Sequence, residues 1–280
     1  MTAIKFVPTR SSTRVSTKLP WSRSWLRVLA LWACLVLSVL PIVVTAIAAL
    51  TKSWNTGGAF SGGLTMQYIV AAVPTYLPLL RMSLTIMSIT LVLTILFGLP
   101  LAWLFARQRI PGGKLIGWFV SLPLSIPGIA LGLALIATYS GLQSFGVLVI
   151  AGHVLLTTPF MIAALVPVLA DEEQRDVEMV AMTLGASPAR RFLTITLPHL
   201  RTAILSGALM VSAISLGEFN ITYFVVSPAS PTLPVGLFSA FIYGTVSDAA
   251  SQTILYILAV LPIAILIQWI GKLLVKGSGR

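Results

Sequence analysis

The chain has 280 residues, of which 57% are hydrophobic and 9% charged, with a formal net charge of +11. A soluble domain carries about 25% charged residues, so this composition excludes a soluble globular protein. A basic nucleic-acid binder needs its charge as a patch on a soluble scaffold, and membrane topology accounts for these cations first. The single Cys34 lies in an apolar run and excludes an intramolecular disulfide.

The first 25 residues contain no acid and many Ser, Thr, Lys and Arg. That composition also fits a mitochondrial transit peptide, but it reads here as a basic cytoplasmic tail. The apolar run that follows is too long for the core of a cleaved signal peptide. A membrane helix needs about 20 mostly apolar residues, and six such runs occur: 26–50, 83–106, close to 115–137, close to 145–170, close to 202–226 and 253–274. The segment 66–80 is apolar but short and carries Pro74 and Pro78, so it is expected as an interfacial helix on the outer side. Residues 227–250, with Pro228, Pro231 and Pro234, are expected as a structured external loop that can dip back toward a pore.

Positive residues are retained on the cytoplasmic side of a membrane. Lys5, Arg10, Arg14, Lys18, Arg23 and Arg27 flank the first run; Arg107, Arg109 and Lys114 lie between the second and third. Arg175, Arg190, Arg191 and Arg201 lie between the fourth and fifth, and Lys272, Lys276 and Arg280 close the chain. Only Lys52 and Arg81 fall on the other side. The expected fold is therefore an all-α polytopic membrane protein with six transmembrane helices and both termini cytoplasmic. Pro41, Pro100, Pro123, Pro127, Pro159, Pro167 and Pro262 interrupt the runs, and Gly128 and Gly132 are spaced as GxxxG. Small residues let helices approach closely in lipid, and prolines free carbonyls that a bundle or a wet cavity must satisfy.

The one sizeable polar connection, residues 171–201, opens on Asp171, Glu172, Glu173, Asp176 and Glu178, five of the seven acids of the chain. Acids favour the positive end of a helix dipole. Then comes Met179-Val180-Ala181-Met182-Thr183-Leu184-Gly185-Ala186-Ser187-Pro188-Ala189-Arg190-Arg191-Phe192. Gly185 can supply the left-handed turn that ends one helix, and Ser187 with Pro188 forms the cap and first turn of the next. Phe192, Ile195 and Leu197 fall near one face before Pro198. Two short helices at an angle, mixing apolar and basic groups, make an elbow suited to a groove on another protein.

This segment resembles the cytoplasmic "EAA" loop of inner-membrane permease subunits of binding-protein-dependent ATP-binding cassette importers. Ala181, Gly185, Phe192, Ile195, Leu197 and Pro198 carry the match. The triplet position reads Met179-Val180-Ala181, so only its last Ala is kept. The resemblance extends over nearly the whole chain: six runs, a long outer segment between the first two, and the loop between the fourth and fifth. It implies that 26–280 is a permease domain forming half of a dimeric pathway, with 171–201 as its coupling loop. Implied partners are a cytoplasmic ATPase dimer, a second permease subunit, identical or homologous, and a periplasmic or extracellular solute-binding protein, with the bacterial inner membrane as location. Implied ATPase-coupling residues are Ala181, Thr183, Leu184, Gly185, Ala186, Ser187, Pro188, Arg191 and Phe192.

Glu218 is the only acid inside an expected span, and an ionisable group at that depth faces a cavity or a partner. Ser212, Ser215, Glu218 and Thr222 recur at three or four residues, which places them on one face of a helix, with Gly217 and Asn220 beside them. A pathway-lining helix with Glu218 in its outer half is expected; the plainer alternative is that Glu218 pairs with a neighbouring helix or backbone. His153, one turn before Thr157, reads as a packing residue, and His199 as interfacial. No Cys, His or carboxylates cluster with metal-ligand spacing, and the glycine-rich run 57–65 has Gly63 where a phosphate loop needs Lys, so neither metal nor nucleotide is expected on this chain.

The run Leu216-Gly217-Glu218-Phe219-Asn220 with Thr232-Leu233-Pro234-Val235-Gly236-Leu237 looks like the polyamine, phosphonate, iron and sulfate or molybdate permease branch, and within it is closer to 2-aminoethylphosphonate than to polyamine permeases. A phosphonate-type solute is expected, then a polyamine. The rival class is an ion-coupled secondary transporter with Glu218 as its intramembrane carboxylate, which usually shows two related halves; no convincing internal repeat is visible here. A membrane enzyme is weaker still, because no acid, base and nucleophile come together.

Overall fold

The computed structural model describes residues 24–52, 54, 60, 62–107 and 113–276. The tail up to residue 23, Gly57 to Ala59 of the glycine-rich run, Arg109 and Arg280 lie outside them. Among the described residues, regular structure is helical, apart from an isolated antiparallel bridge between Thr51 and Leu64. The chain divides into two units, residues 1–44 and 45–280. Helix α1 (Ser24–Leu50) starts in the first unit, where Trp25, Leu31, Trp32 and Leu37 are all exposed. A helix apolar on every side is at home in lipid rather than water.

The second unit continues with α2 (Gln67–Ala106), α3 (Gly113–Ser125), α4 (Gly128–Tyr139), a 3-10 segment Ser140–Phe145, and α5 (Val147–Leu169). Next come α6 (Glu172–Thr183), α7 (Pro188–Arg191), a π turn (Phe192–Thr196) and α8 (Leu197–His199). It closes with α9 (Arg201–Gly217), α10 (Thr222–Val225), α11 (Leu233–Tyr243) and α12 (Val246–Lys276). Helices α1, α2, α5 and α12 are each long and apolar enough to cross a membrane, so the protein is polytopic.

The main core joins α2, α5 and α9 around Ala102, Met161, Leu165, Leu169, Ala203 and Val211. Glycine makes this approach possible. A Cβ on Gly98 would lie 3.0 Å from Met161 Cγ, and one on Gly207 would lie 2.6 Å from its sulfur, so Met161 fills the space that two missing side chains leave.

Three expectations about elements change. The segment 66–80 is not a separate interfacial helix: α2 runs unbroken through Pro74, Pro78 and Pro100. Its 40 residues span about 60 Å at 1.5 Å per residue, twice a bilayer core, so α2 reaches well beyond the hydrocarbon. Residues 227–250 are likewise not all loop, because α11 and the start of α12 occupy them. Ser83 Oγ accepts the Leu233 amide of α11 at 2.8 Å, and Tyr76 donates to the Leu255 carbonyl of α12 at 3.0 Å, which fastens both helices to α2.

The third expected span is split between α3 and α4. Pro127 adopts φ −54 and ψ 130, and its ring pushes the residue before it out of the helical region. The GxxxG pair then receives α10. A Cβ on Gly128 would lie 2.8 Å from Asn220 Cβ, one on Gly132 would lie 3.0 Å from the Ile221 carbonyl, and one on Gly152 of α5 would lie 2.7 Å from Ile221 Cγ2. Ile221, fully buried, thus sits in a socket of three glycines. The branched Ile221 side chain cannot swing aside, so Gly152→Ala is expected to destabilise the fold by about 1–3 kcal/mol, the usual cost of overpacking. Thermal unfolding of the detergent-solubilised chain would measure it, and an unchanged midpoint would show the socket to be loose.

Candidate functional site

The elbow folds from local chemistry. Asp171 takes the Glu173 amide on its carboxylate at 3.4 Å, and Glu172 and Glu173 occupy the first turn of α6. At the other end Gly185 has φ 83; its amide donates to the Met182 carbonyl and that of Ala186 to the Ala181 carbonyl, both at 3.0 Å. Those paired bonds with a left-handed glycine close a helix by the Schellman pattern. Ser187 Oγ accepts the Arg190 amide at 3.3 Å and Pro188 opens the next helix, as the sequence predicts.

The elbow is amphipathic inside out. Its buried face is polar, carrying Gln174 and Glu178, whereas Val177, Met179, Val180, Met182 and Leu184 are exposed, Leu184 at 82%. Exposed apolar clusters on a polar segment mark interaction surfaces. Glu178 ties both legs together: its Oε1 accepts the Thr196 hydroxyl at 2.7 Å and Gln174 Nε2 at 3.5 Å, and its Oε2 pairs with Arg107 Nη2 at 2.5 Å. Arg175 donates to the Ala106 carbonyl. Phe192 meets Trp103 with ring centroids 5.9 Å apart, and a cavity of about 700 Å³ opens between Trp103, Arg107, Arg175, Met182, Arg191 and Phe192.

Of the elbow residues expected from sequence, Thr183, Leu184, Gly185, Ser187 and Pro188 are exposed; Ala181, Ala186, Arg191 and Phe192 are half-buried. Thr183 spends its hydroxyl on the Val180 carbonyl at 2.7 Å. Sequence reasoning did not single out Glu178, Arg107, Arg175 or Thr196. The available signal was the spacing of Gln174 and Glu178, one turn apart and offset from the stripe of Val177, Val180 and Leu184.

A second polar group lies where the fifth span breaks. Ser212, Ser215, Glu218 and Thr222 do not share one continuous helix face, because α9 ends at Gly217, Glu218 is extended at φ −71 and ψ 121, and Thr222 belongs to α10. The reason is the carboxylate itself. Glu218 Oε1 accepts the Ile221 amide at 2.8 Å, and Oε2 accepts the Thr222 amide at 2.9 Å and the Thr222 hydroxyl at 2.5 Å. A broken helix in lipid leaves amides that must find internal partners, and this carboxylate supplies them.

His153 of α5 is the buried packing residue the sequence predicts, and both of its ring nitrogens have partners. Its Nδ1 lies 2.8 Å from Ser215 Oγ and its Nε2 lies 2.8 Å from Thr222 Oγ1, with Glu218 Oε2 at 3.6 Å. The Thr222 proton is directed to Glu218, so in the neutral ring Nε2–H donates to Thr222 and Nδ1 accepts from Ser215; the carboxylate thereby sets the tautomer. Thr157, one turn on, donates to the His153 carbonyl at 2.7 Å and sits 3.0 Å from Thr94 of α2. The network links α2, α5, α9 and α10. Ser212 is buried, and Asn220 is exposed beside exposed Gly217. Among the described residues, no group of three or more His, Cys, Asp or Glu could hold a metal ion.

The chain as a whole is similar to several known proteins. The chain is 30% identical over 258 residues, covering 90% of it and 96% of the relative, to a Salmonella typhimurium protein provisionally named as PhnV, a permease of a 2-aminoethylphosphonate transport system. It is 28% identical over 234 residues, 75% of it and 79% of the relative, to the sulfate transport system permease protein CysW of Escherichia coli K12. It is 37% identical over 148 residues, 52% of it and 59% of the relative, to the molybdate/tungstate transport system permease protein WtpB of Thermococcus kodakarensis. Residues 94–279, from the second half of α2 to the end of the chain, match the family described as the binding-protein-dependent transport system inner membrane component. An elbow with a Schellman-closed first leg, carried on an all-helical polytopic scaffold, thus stands within a chain that belongs to this family and is an inner-membrane permease of a binding-protein-dependent importer.

Proposed function

We propose that this permease forms half of a solute pathway with a second permease subunit, identical or homologous, and that its elbow couples the pathway to a separate cytoplasmic ATPase dimer. The observation that carries the reading is the inverted amphipathicity of α6: Val177, Val180 and Leu184 point outward where an isolated chain would bury them. A groove on a partner protein removes that surface from water. The coupling residues are Ala181, Thr183, Leu184, Gly185, Ala186, Ser187, Pro188, Arg191 and Phe192. ATP binding and hydrolysis belong to the partner, and this chain does no bond chemistry.

The chain crosses the bacterial inner membrane six times with both termini cytoplasmic. The broken pairs α3 with α4, and α9 with α10, count as the third and fifth crossings. The placement of basic residues supports this topology. Residues 1–25 form the cytoplasmic tail and 26–280 the permease domain, with 171–201 as its coupling loop. The polar lining of the pathway is Ser212, Ser215, Glu218, Asn220 and Thr222: Asn220 faces the open side, while Glu218 and Thr222 stand behind it and keep the helix broken. Family membership favours ATP-driven import over an ion-coupled secondary transporter.

The solute is a phosphonate of the 2-aminoethylphosphonate type, delivered by an external binding protein, with a polyamine next. The relatives named for that phosphonate, which match nearly end to end, support the first choice. In proteoliposomes holding the permease, its ATPase and its binding protein, ATP-dependent accumulation of radiolabelled 2-aminoethylphosphonate is expected. Accumulation of sulfate, molybdate or a polyamine instead would replace the solute and leave the importer standing.

A further inference from the structure

Glu178 stands one residue before the triplet position, faces inward, and is used by none of the contacts proposed for the ATPase. Its two oxygens address three pieces of chain. Oε1 holds Thr196 of the second leg and Gln174 of the first; Oε2 holds Arg107, the residue that caps α2. One turn earlier on the same leg, Arg175 donates to the Ala106 carbonyl. The elbow therefore grips the end of α2 twice, at its last helical carbonyl and at the side chain of its cap. Carbonyls at a helix C-terminus lack intrahelical donors, and a guanidinium there is favoured by the dipole as well. Both side chains of the Arg107–Glu178 pair are only 12% exposed, so salt screens the pair weakly.

Holding the two legs to each other requires only the bond from Thr196, since Gln174 stands on the same leg as Glu178. The ion pair adds a link from the elbow to the helix that packs against α5, α9, α11 and α12. We propose that Glu178 is a positioning residue that clamps the coupling elbow to the cytoplasmic end of α2, so that elbow and α2 move as one rigid body when the ATPase closes. Elbow motion is then delivered to the cluster that joins Ala102 and Ala106 of α2 to Met161, Leu165 and Val211. This inference rests on the coupling reading of the elbow.

The test uses the whole transporter, assembled with its ATPase in proteoliposomes. Nitroxide labels are placed at Thr194→Cys on the elbow and Phe97→Cys on α2, both exposed positions, in a Cys34→Ser background. In the otherwise intact chain the Thr194 to Phe97 distance is expected to stay within about 2 Å between the nucleotide-free and the vanadate-trapped MgATP states, the scale of ordinary interface shifts. With Glu178→Gln, which keeps the oxygen that serves Thr196, or with Arg107→Gln, the trapped state is expected to shift by about 5 Å, one helical turn, or to broaden as much. The exchange of Arg107→Glu with Glu178→Arg is expected to restore the single distance. A comparable nucleotide-dependent shift in the intact chain would overturn the clamp, as would unmoved distances in both single variants or an exchange that restores nothing. Gly185→Asp separates the failures. If that variant releases the ATPase while Glu178→Gln leaves the distances unmoved, the clamp alone is wrong; if it keeps the ATPase bound, the coupling reading fails.

Discussion

Gly185→Asp is expected to leave the permease in the membrane at its normal level while abolishing transport and co-purification with the ATPase. Gly185 closes α6 at φ 83, and nothing lies within 4 Å of where its Cβ would stand. The cost to folding is therefore backbone strain alone, about 1–2 kcal/mol for an L-residue, and Asp is one of the few non-glycine residues that adopt this conformation even occasionally. The new carboxylate would sit beside Leu184, the most exposed apolar side chain of the elbow. A carboxylate driven into an apolar groove without a partner costs several kcal/mol, enough to remove a docking contact. Pull-down with the ATPase and solute uptake read the outcome, and normal values for both would take the elbow out of the coupling interface.

Glu218→Gln is expected to destabilise the fold by about 3 kcal/mol, since hydrogen bonds to a charged group are worth roughly 1.5–3 kcal/mol and a buried donor left unpaired adds its own penalty. Glutamine can serve the Ile221 amide with its remaining oxygen. Its amino group cannot accept from the Thr222 amide or hydroxyl, which now share Oε2. The Thr222 hydroxyl must then turn elsewhere, and its contact with His153 Nε2 is lost or reversed. Loss of transport is expected together with a lower unfolding midpoint. Asn220→Ala provides the contrast: Asn220 is exposed, so transport is expected to change with the midpoint held. A Glu218→Gln chain as stable as the original would mean that the break does not depend on this carboxylate.

The caps and the turn of the elbow were legible because each of them is local. Asp171 caps two residues ahead, Gly185 closes bonds within a few positions, and Ser187 reaches three residues on. Residue type alone identifies such caps and turns. The break in the fifth span was not legible by the same route. Hydropathy over 202–226 is continuous, and spacing by three and four put Ser212, Ser215, Glu218 and Thr222 on one face of a helix that ends before Glu218. The unbroken α2 was misjudged for the opposite reason. Its prolines signal a stop, but packing against α11 and α12 and the anchors at Ser83 and Tyr76 hold the helix together.

The sequence by itself determined that this chain lives in a membrane, which connections between its apolar runs carry the positive charge, and that a helical elbow follows the fourth apolar run. Each of these follows from composition or from neighbours a few residues apart. Only the tertiary structure decided what the scarce buried polar groups do. Arg107 meets Glu178 across 71 residues of chain, and His153 meets Ser215 across 62 and Thr222 across 69. A buried charge must be paired, and this much can be read from residue type. Which group it pairs with depends on which helices pack together, and no local pattern encodes that choice. Glu178 and Glu218 therefore share one chemistry and hold two different joints, the elbow at the end of α2 and the break between α9 and α10.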